Sequence, residues 1–266
     1  MMPKLSAEEE PPLLSGEGNS TANEDLPREN GTCTIPHSVP AGSWLDWRWQ
    51  MRNRIRSPSR LASWLGWCRV PEDMEQAIAR FPMAITPYYA SLIERADASD
   101  PIFAMAVPQA AELHDPPYLR DDPLAEDHFM PVPNLVHRYP DRALLLVTST
   151  CATYCRHCTR KRIAGQREST LSAKGLQRAL EYLKQHPEIH DVIVSGGDPL
   201  TLPTNVLEQV LRALREIPSL DIIRIGSRVP VTMPMRTVIS WTRERRTAVK
   251  VSTQRSSLPK RAPATE

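Results

Sequence analysis

From Ala143 onward the chain alternates short apolar runs with amphipathic stretches, at a spacing that leaves few folds open. Leu144 to Val147 reads as a strand. Ser172 can cap a helix that presents Leu176, Ala179, Leu180 and Leu183 on one face, and Val192 to Val194 is the next strand. Thr204 can cap a second helix with Leu207, Val210, Leu211 and Leu214 facing inward, and Ile222 to Ile225 is a third strand. Strands alternating with helices in this way pair in parallel through helical crossovers, which predicts an α/β fold resembling half of a (β/α) barrel. In such folds reactive groups gather at the carboxyl ends of the strands.

Each of the three strands is followed by residues able to do chemistry. After the first come Cys151, Cys155 and Cys158, three thiols in eight residues. Structural zinc takes four protein ligands, usually as two separated pairs, whereas a cubane iron–sulfur cluster can take three thiolates and leave one iron open to another ligand. Coincidence, a zinc site completed by His157 and a redox-active pair are the alternatives. After the second strand comes Ser195-Gly196-Gly197-Asp198, where two glycines admit close backbone approach and Asp198 can accept from an ammonium; a tight strand-to-helix turn is the plainer reading. After the third comes Gly226-Ser227-Arg228.

The words around the cysteines are long and ordered. His137-Arg-Tyr-Pro-Asp-Arg142, Tyr154-Cys-Arg-His-Cys-Thr-Arg160, Val194-Ser-Gly-Gly-Asp-Pro-Leu200 and Arg224-Ile-Gly-Ser-Arg-Val-Pro230 resemble the lysine 2,3-aminomutase family of radical S-adenosylmethionine (SAM) enzymes. Trp44 to Gln50 and Ile85 to Tyr89 resemble its amino-terminal helical region, so the resemblance covers about residues 43 to 237. It implies a partial radical SAM barrel with a helical arm, and a [4Fe–4S] cluster held by Cys151, Cys155 and Cys158. It further implies SAM bound by Ser195, Gly196, Gly197 and Asp198, with His157 as a flat contact beside its adenine and Arg228 reaching its ribose or carboxylate. Arg160 matches the arginine that pairs with the substrate carboxylate, and Arg138 and Arg142 match positions near pyridoxal phosphate (PLP). The implied reaction moves an amino group from the α to the β carbon of L-lysine or a related amino acid, with an external electron donor.

The chain also departs from that pattern. The match fades after about Arg236-Thr237, no glycine follows Gly226, and Lys250 and Lys260 stand in Ser/Thr/Arg/Pro-rich sequence unlike a Schiff-base site. The expectation is a member truncated at its carboxyl terminus and lacking the later strands. The alternative is a non-catalytic cluster- or SAM-binding remnant, or a half-enzyme completed by a second chain.

Four regions follow from composition: a flexible leader over 1–42, a helical arm with a proline-rich connection over 43–140, the β/α region over 141–237, and a basic low-complexity tail over 238–266. Within the arm, Trp44 and Trp47 are expected on one helix face, a helix is expected over Glu72 to Arg80, and another from Pro87 through Ile93; residues 97 to 140 read as extended loop. The net charge of +2 conceals a tail of +5 on a body of −3, and the tail carries no recognisable nucleic-acid module. No apolar stretch is long enough to span a bilayer, and five cysteines, with Cys33 and Cys68 isolated, make no disulfide framework. The expected compartment is the cytoplasm, with neither nucleic acid nor membrane as partner. The tryptophan-rich arm could pack on a second copy of the chain.

Overall fold

The computed structural model describes residues 39, 41–67, 72–114, 118–237 and 251–252. Its centre is a sheet in the order β1-β2-β3-β4-β5: Leu135–Tyr139, Arg142–Thr148, Asp191–Gly196, Ile222–Gly226 and Val251–Ser252. β2, β3, β4 and β5 run parallel, and β1 lies antiparallel to β2. The three expected strands are therefore present, in parallel register, as β2, β3 and β4. Among the described residues the sheet does not close on itself.

The crossovers are the helices Ala173–Gln185 and Thr204–Arg215, here α7 and α8. Ser172 caps α7 by accepting from the Gly175 amide. Ala179, Leu180 and Leu183 of α7 and Leu207, Val210 and Leu214 of α8 meet Ala143, Leu145, Val147, Val192 and Val194 in one core. Because strand side chains alternate, Leu146 and Thr148 point to the opposite face, where a cleft lies. One expectation fails locally: Pro203 precedes α8 and Thr204 makes no cap, its hydroxyl instead accepting from Arg236.

The arm is built from six short helices, α1 to α6: Ala41–Trp44, Trp47–Arg52, Pro58–Leu65, Glu72–Arg80, Pro87–Ala90 and Pro101–Ala106. Ile55, Leu61, Leu65, Met74, Met83, Ile85, Tyr89 and Phe103 form its own core, and Ile55 and Ile85 bridge as a one-rung antiparallel pair. Trp44 and Trp47 do not share a helix, because Asp46 caps α2 through the Arg48 amide and breaks the run. α5 stops at Ala90, short of Ile93.

The stretch read as loop over 97–140 is more ordered than expected. Asp100 caps α6 with two amide bonds, a 3-10 turn follows at Ala110–Leu113, and β1 forms at its end. The expected tail over 238–266 lies outside the described residues except for Val251 and Ser252, which cover the edge of β4 at Ile225 and Gly226. No helix among the described residues is long and apolar enough to cross a membrane.

The sheet–helix core is where stability is most exposed to substitution. Leu183→Ala removes a side chain with no solvent exposure, and unfolding in urea should show a loss of about 2–5 kcal/mol, set by how far the cavity collapses.

Candidate metal centre

The cysteine loop leaves the carboxyl end of β2 and is held from both sides. On its β side, the Thr148 hydroxyl donates to the Ser169 carbonyl, and Ser149 donates to Arg167 and accepts from the Ser169 amide. On its arm side, the Tyr154 amide donates to Ala84 and the Arg156 amide to Met105. Two buried arginines complete the grip. Arg54 donates to the Cys151 carbonyl at 2.6 Å and forks onto Glu168, while Arg156 donates to the carbonyls of Phe81 and Pro82 and forks onto Glu112. Tyr154 also bonds Glu168 and packs on Phe81.

Cys151, Cys155 and Cys158 are free thiols on this loop, each half-buried. Burial pushes the Cys151 thiol well up, and Asp198, Cys155 and Cys158 add to the effect. Burial also raises Cys155, against the pull of the Arg228 guanidinium, whose Nη1 stands 2.8 Å from the Cys155 sulfur. Burial and thiol neighbours that disfavour ionisation of Cys151 and Cys155 fit a cationic centre, which would offset both. Among the described residues no three His, Cys, Asp or Glu side chains converge on a point that a single ion could occupy. A cubane needs no such convergence, since each thiolate binds a different iron. His157 turns its Nε2 to Arg228, 3.3 Å away, and burial with the cations Arg228 and Lys161 keeps the ring's pKa below its ordinary value.

The Gly196-Gly197-Asp198 segment works differently from the expectation. Gly196 sits at φ +127°, and a methyl on it would enter the Thr148 carbonyl; one on Gly197 would enter the Thr150 carbonyl. The glycines let the end of β3 lie against the root of the cysteine loop, which the Gly197 and Asp198 amides then bond through Thr148 and Thr150. Asp198 is not free to receive an ammonium. Its carboxylate accepts from the Ser227 hydroxyl and from the amides of Leu200, Arg228 and Val229, joining the ends of β3 and β4. Burial raises its pKa while those four donors pull it back. What the segment can offer a ligand is therefore Ser195 and the glycine backbone, Gly196 lining the cleft.

Arg228 points at the cysteines, bonding Cys155 and the Met105 sulfur. Arg160 lines a cleft of about 400 Å³ on the inner face of the sheet, but its guanidinium is paired with the buried carboxylate of Glu126. Neither arginine assigned to PLP lines that cleft. Arg142 begins β2, six residues and about 20 Å of strand from Thr148, and pairs with Asp191 and Asp141. Arg138 is exposed on β1, donating to the Leu124 carbonyl beside the rings of Phe129 and Tyr139. The described lysines do not supply the coenzyme's anchor either: Lys161 pairs with Glu112, and Lys174 and Lys184 are exposed on α7. The described residues thus do not fit PLP, and Lys250 and Lys260 lie outside them.

Sequence reasoning missed Arg54, Glu112, Glu126, Arg156 and Glu168. Only Arg156 carried a local signal, as a cation inside the cysteine spacing.

Residues 141–228 match the 4Fe-4S single cluster domain. The chain is 45% identical over 163 residues to the L-lysine 2,3-aminomutase of Clostridium subterminale, covering 61% of this chain and 39% of that protein. It is 48% identical over 167 residues to that of Acetoanaerobium sticklandii (62% and 40%), and 40% identical over 161 residues to the glutamate 2,3-aminomutase of Clostridioides difficile (60% and 38%). The likeness to the lysine 2,3-aminomutases is thereby shown, and the chain spans about two-fifths of the length of these relatives.

Glu168 gives the arm–loop contact a pH signature. The Arg54 fork and the Tyr154 hydroxyl hold its carboxyl below the ordinary 4.5 despite burial. A depressed carboxyl stabilises the fold above its unfolded pKa and loses that contribution as pH falls through the folded value. Denaturation series from pH 7 to pH 3 should show wild-type stability falling below about pH 4.5. Glu168→Gln should be less stable at pH 7, by roughly 3–5 kcal/mol for an orphaned buried Arg54, with a shallower acid slope.

Proposed function

We propose that this chain carries the cluster- and SAM-binding part of a radical SAM aminomutase acting on L-lysine or a related amino acid. The observation that carries the reading is the cysteine loop itself. Three thiols stand at the carboxyl end of the first parallel strand, clamped by Arg54 and Arg156 and crossed closely by the glycines of β3. When bound through Cys151, Cys155 and Cys158, the cluster supplies the electron that reductive cleavage of SAM requires, and an external donor must replace it.

The chain's own residues then have separate tasks. Arg54 fixes the Cys151 carbonyl and Arg156 ties the loop to the Phe81 and Pro82 carbonyls of the arm, so the thiols keep their spacing. Ser195, Gly196 and Gly197 offer backbone and hydroxyl groups for the polar end of SAM, on a segment that the Gly197 and Asp198 amides tie to Thr148 and Thr150. His157 and Arg228 stand beside Cys155, on the side where the remaining parts of SAM would lie. Arg160 reads the substrate carboxylate from the wall of the cleft. Relatives are named for lysine and for glutamate, two amino acids that have the α-carboxylate in common, so that group is the feature the cleft is read as recognising.

Anaerobic reconstitution tests the reading. The purified chain given iron and sulfide should take up both in equal amounts and show the electron paramagnetic resonance signal of a reduced [4Fe–4S] cluster. With SAM and a reductant it should release 5′-deoxyadenosine. Cys155→Ala should do neither; a wild-type chain that retains no iron, or a variant that matches it, overturns the proposal.

A further inference from the structure

We propose that Glu126 is a positioning residue that makes Arg160 a one-sided carboxylate receptor, an inference that rests on the reading of Arg160 given above. A guanidinium offers a carboxylate two forked edges, one formed by Nε with an Nη and one by the two Nη groups. In Arg160 the first edge is occupied. Nε stands 3.0 Å from both oxygens of Glu126, and Nη2 stands 2.8 Å from Oε1.

Glu126 is set to stay where it is. It is 4% exposed, and its Oε2 lies 3.6 Å from Arg162 Nη2, which Asp122 and Asp127 also hold. The second edge of Arg160 is different. Its Nη1 has no protein acceptor among the described residues and is not among the buried polar atoms left without a partner. The side chain is 19% exposed and lines the cleft. By contrast, Arg54 and Arg156 commit all three guanidinium nitrogens to protein acceptors. Of these three arginines, two therefore hold the fold and one has a free edge to present to a ligand.

The placement also fixes where that ligand sits. The Arg160 amide bonds the Cys158 sulfur at 3.3 Å, so the root of the receptor is tied to the third cysteine while Glu126 ties its tip. A carboxylate docked on the Nη1–Nη2 edge is thus held at a set position relative to the cysteine loop. A cleft of about 400 Å³ suits a small amino acid. Glu126 selects for a planar carboxylate by geometry, although its charge taken alone repels one.

Calorimetric titration of the full chain with L-lysine and with L-lysinamide, which lacks the carboxylate, tests this. Wild type should bind lysine more tightly than lysinamide. Glu126→Gln should weaken lysine about tenfold, the scale of one charge-assisted hydrogen bond, and leave lysinamide unchanged. Arg160→Lys, which keeps the charge and lacks the fork, should weaken lysine similarly, and Glu126→Gln should add nothing in that background.

Lysine binding to Glu126→Gln as tightly as to wild type, or more tightly, overturns the role of Glu126 alone. Wild type failing to distinguish lysine from lysinamide overturns the carboxylate reading itself. A second measurement needs no variant. In ¹⁵N spectra of wild type, the Arg160 Nε resonance should stay fixed on lysine addition while its Nη resonances move; an Nε shift would mean that the ligand displaces Glu126, and would end the proposal.

Discussion

The structure depends on two buried guanidinium groups that fasten the cysteine loop to the helical arm. A loop carrying three thiols within eight residues has little apolar side chain of its own to bury, and its carbonyls need donors. Arg54, from the arm, supplies one to Cys151, while Arg156, from the loop, reaches the other way to the Phe81 and Pro82 carbonyls of the arm. Each is itself almost wholly buried and so requires a carboxylate, Glu168 for one and Glu112 for the other. Removing any member leaves a buried charge without its partner, which costs more than the intact pair contributes. The pairs therefore specify the loop's position more than they stabilise the fold.

This explains why the arm cannot be regarded as a separate attachment. Trp47 and Met51 pack against Ala152, Val229 and Met233, so one apolar cluster joins the arm, the cysteine loop and the segment after β4. Thr86 both caps α5 and donates its hydroxyl to the Thr232 carbonyl, while its amide donates to the Thr153 hydroxyl, so one residue links the same three parts. The arm thus supplies the groups that hold the thiol-bearing loop: Arg54 on the Cys151 carbonyl, and the Ala84 and Met105 carbonyls on the Tyr154 and Arg156 amides.

What was legible in the sequence was what repeats locally. The apolar positions of α7 and α8 recur at helical spacing, and the Val192 and Val194 pair alternates as a strand facing a core, so both could be read residue by residue. The cysteines were legible because their spacing is itself the signal. The arginine–carboxylate pairs were not, because their partners lie 114, 44 and 34 residues apart and no periodicity connects them. β1 was hidden for another reason: it grows out of a proline-dense stretch and pairs over few residues, so propensity argued against a strand that tertiary pairing nonetheless forms.

Asp198 and Arg160 mark the limit of reading roles from residue types. Both are charged groups in motifs that resemble ligand-binding segments, and sequence alone gives each the same kind of task. Burial separates them. Asp198 is sealed among four protein donors, so its negative charge is spent on holding Ser227 and Arg228 in place, and a ligand meets only the consequences of that placement. Arg160 is partnered on one edge alone and keeps contact with the cleft. The same electrostatic logic, a charge surrounded by as many partners as it can take, makes one residue part of the scaffold and leaves the other with an edge for binding. A site residue is thus recognised less by its charge than by the hydrogen-bonding capacity its own protein has not used.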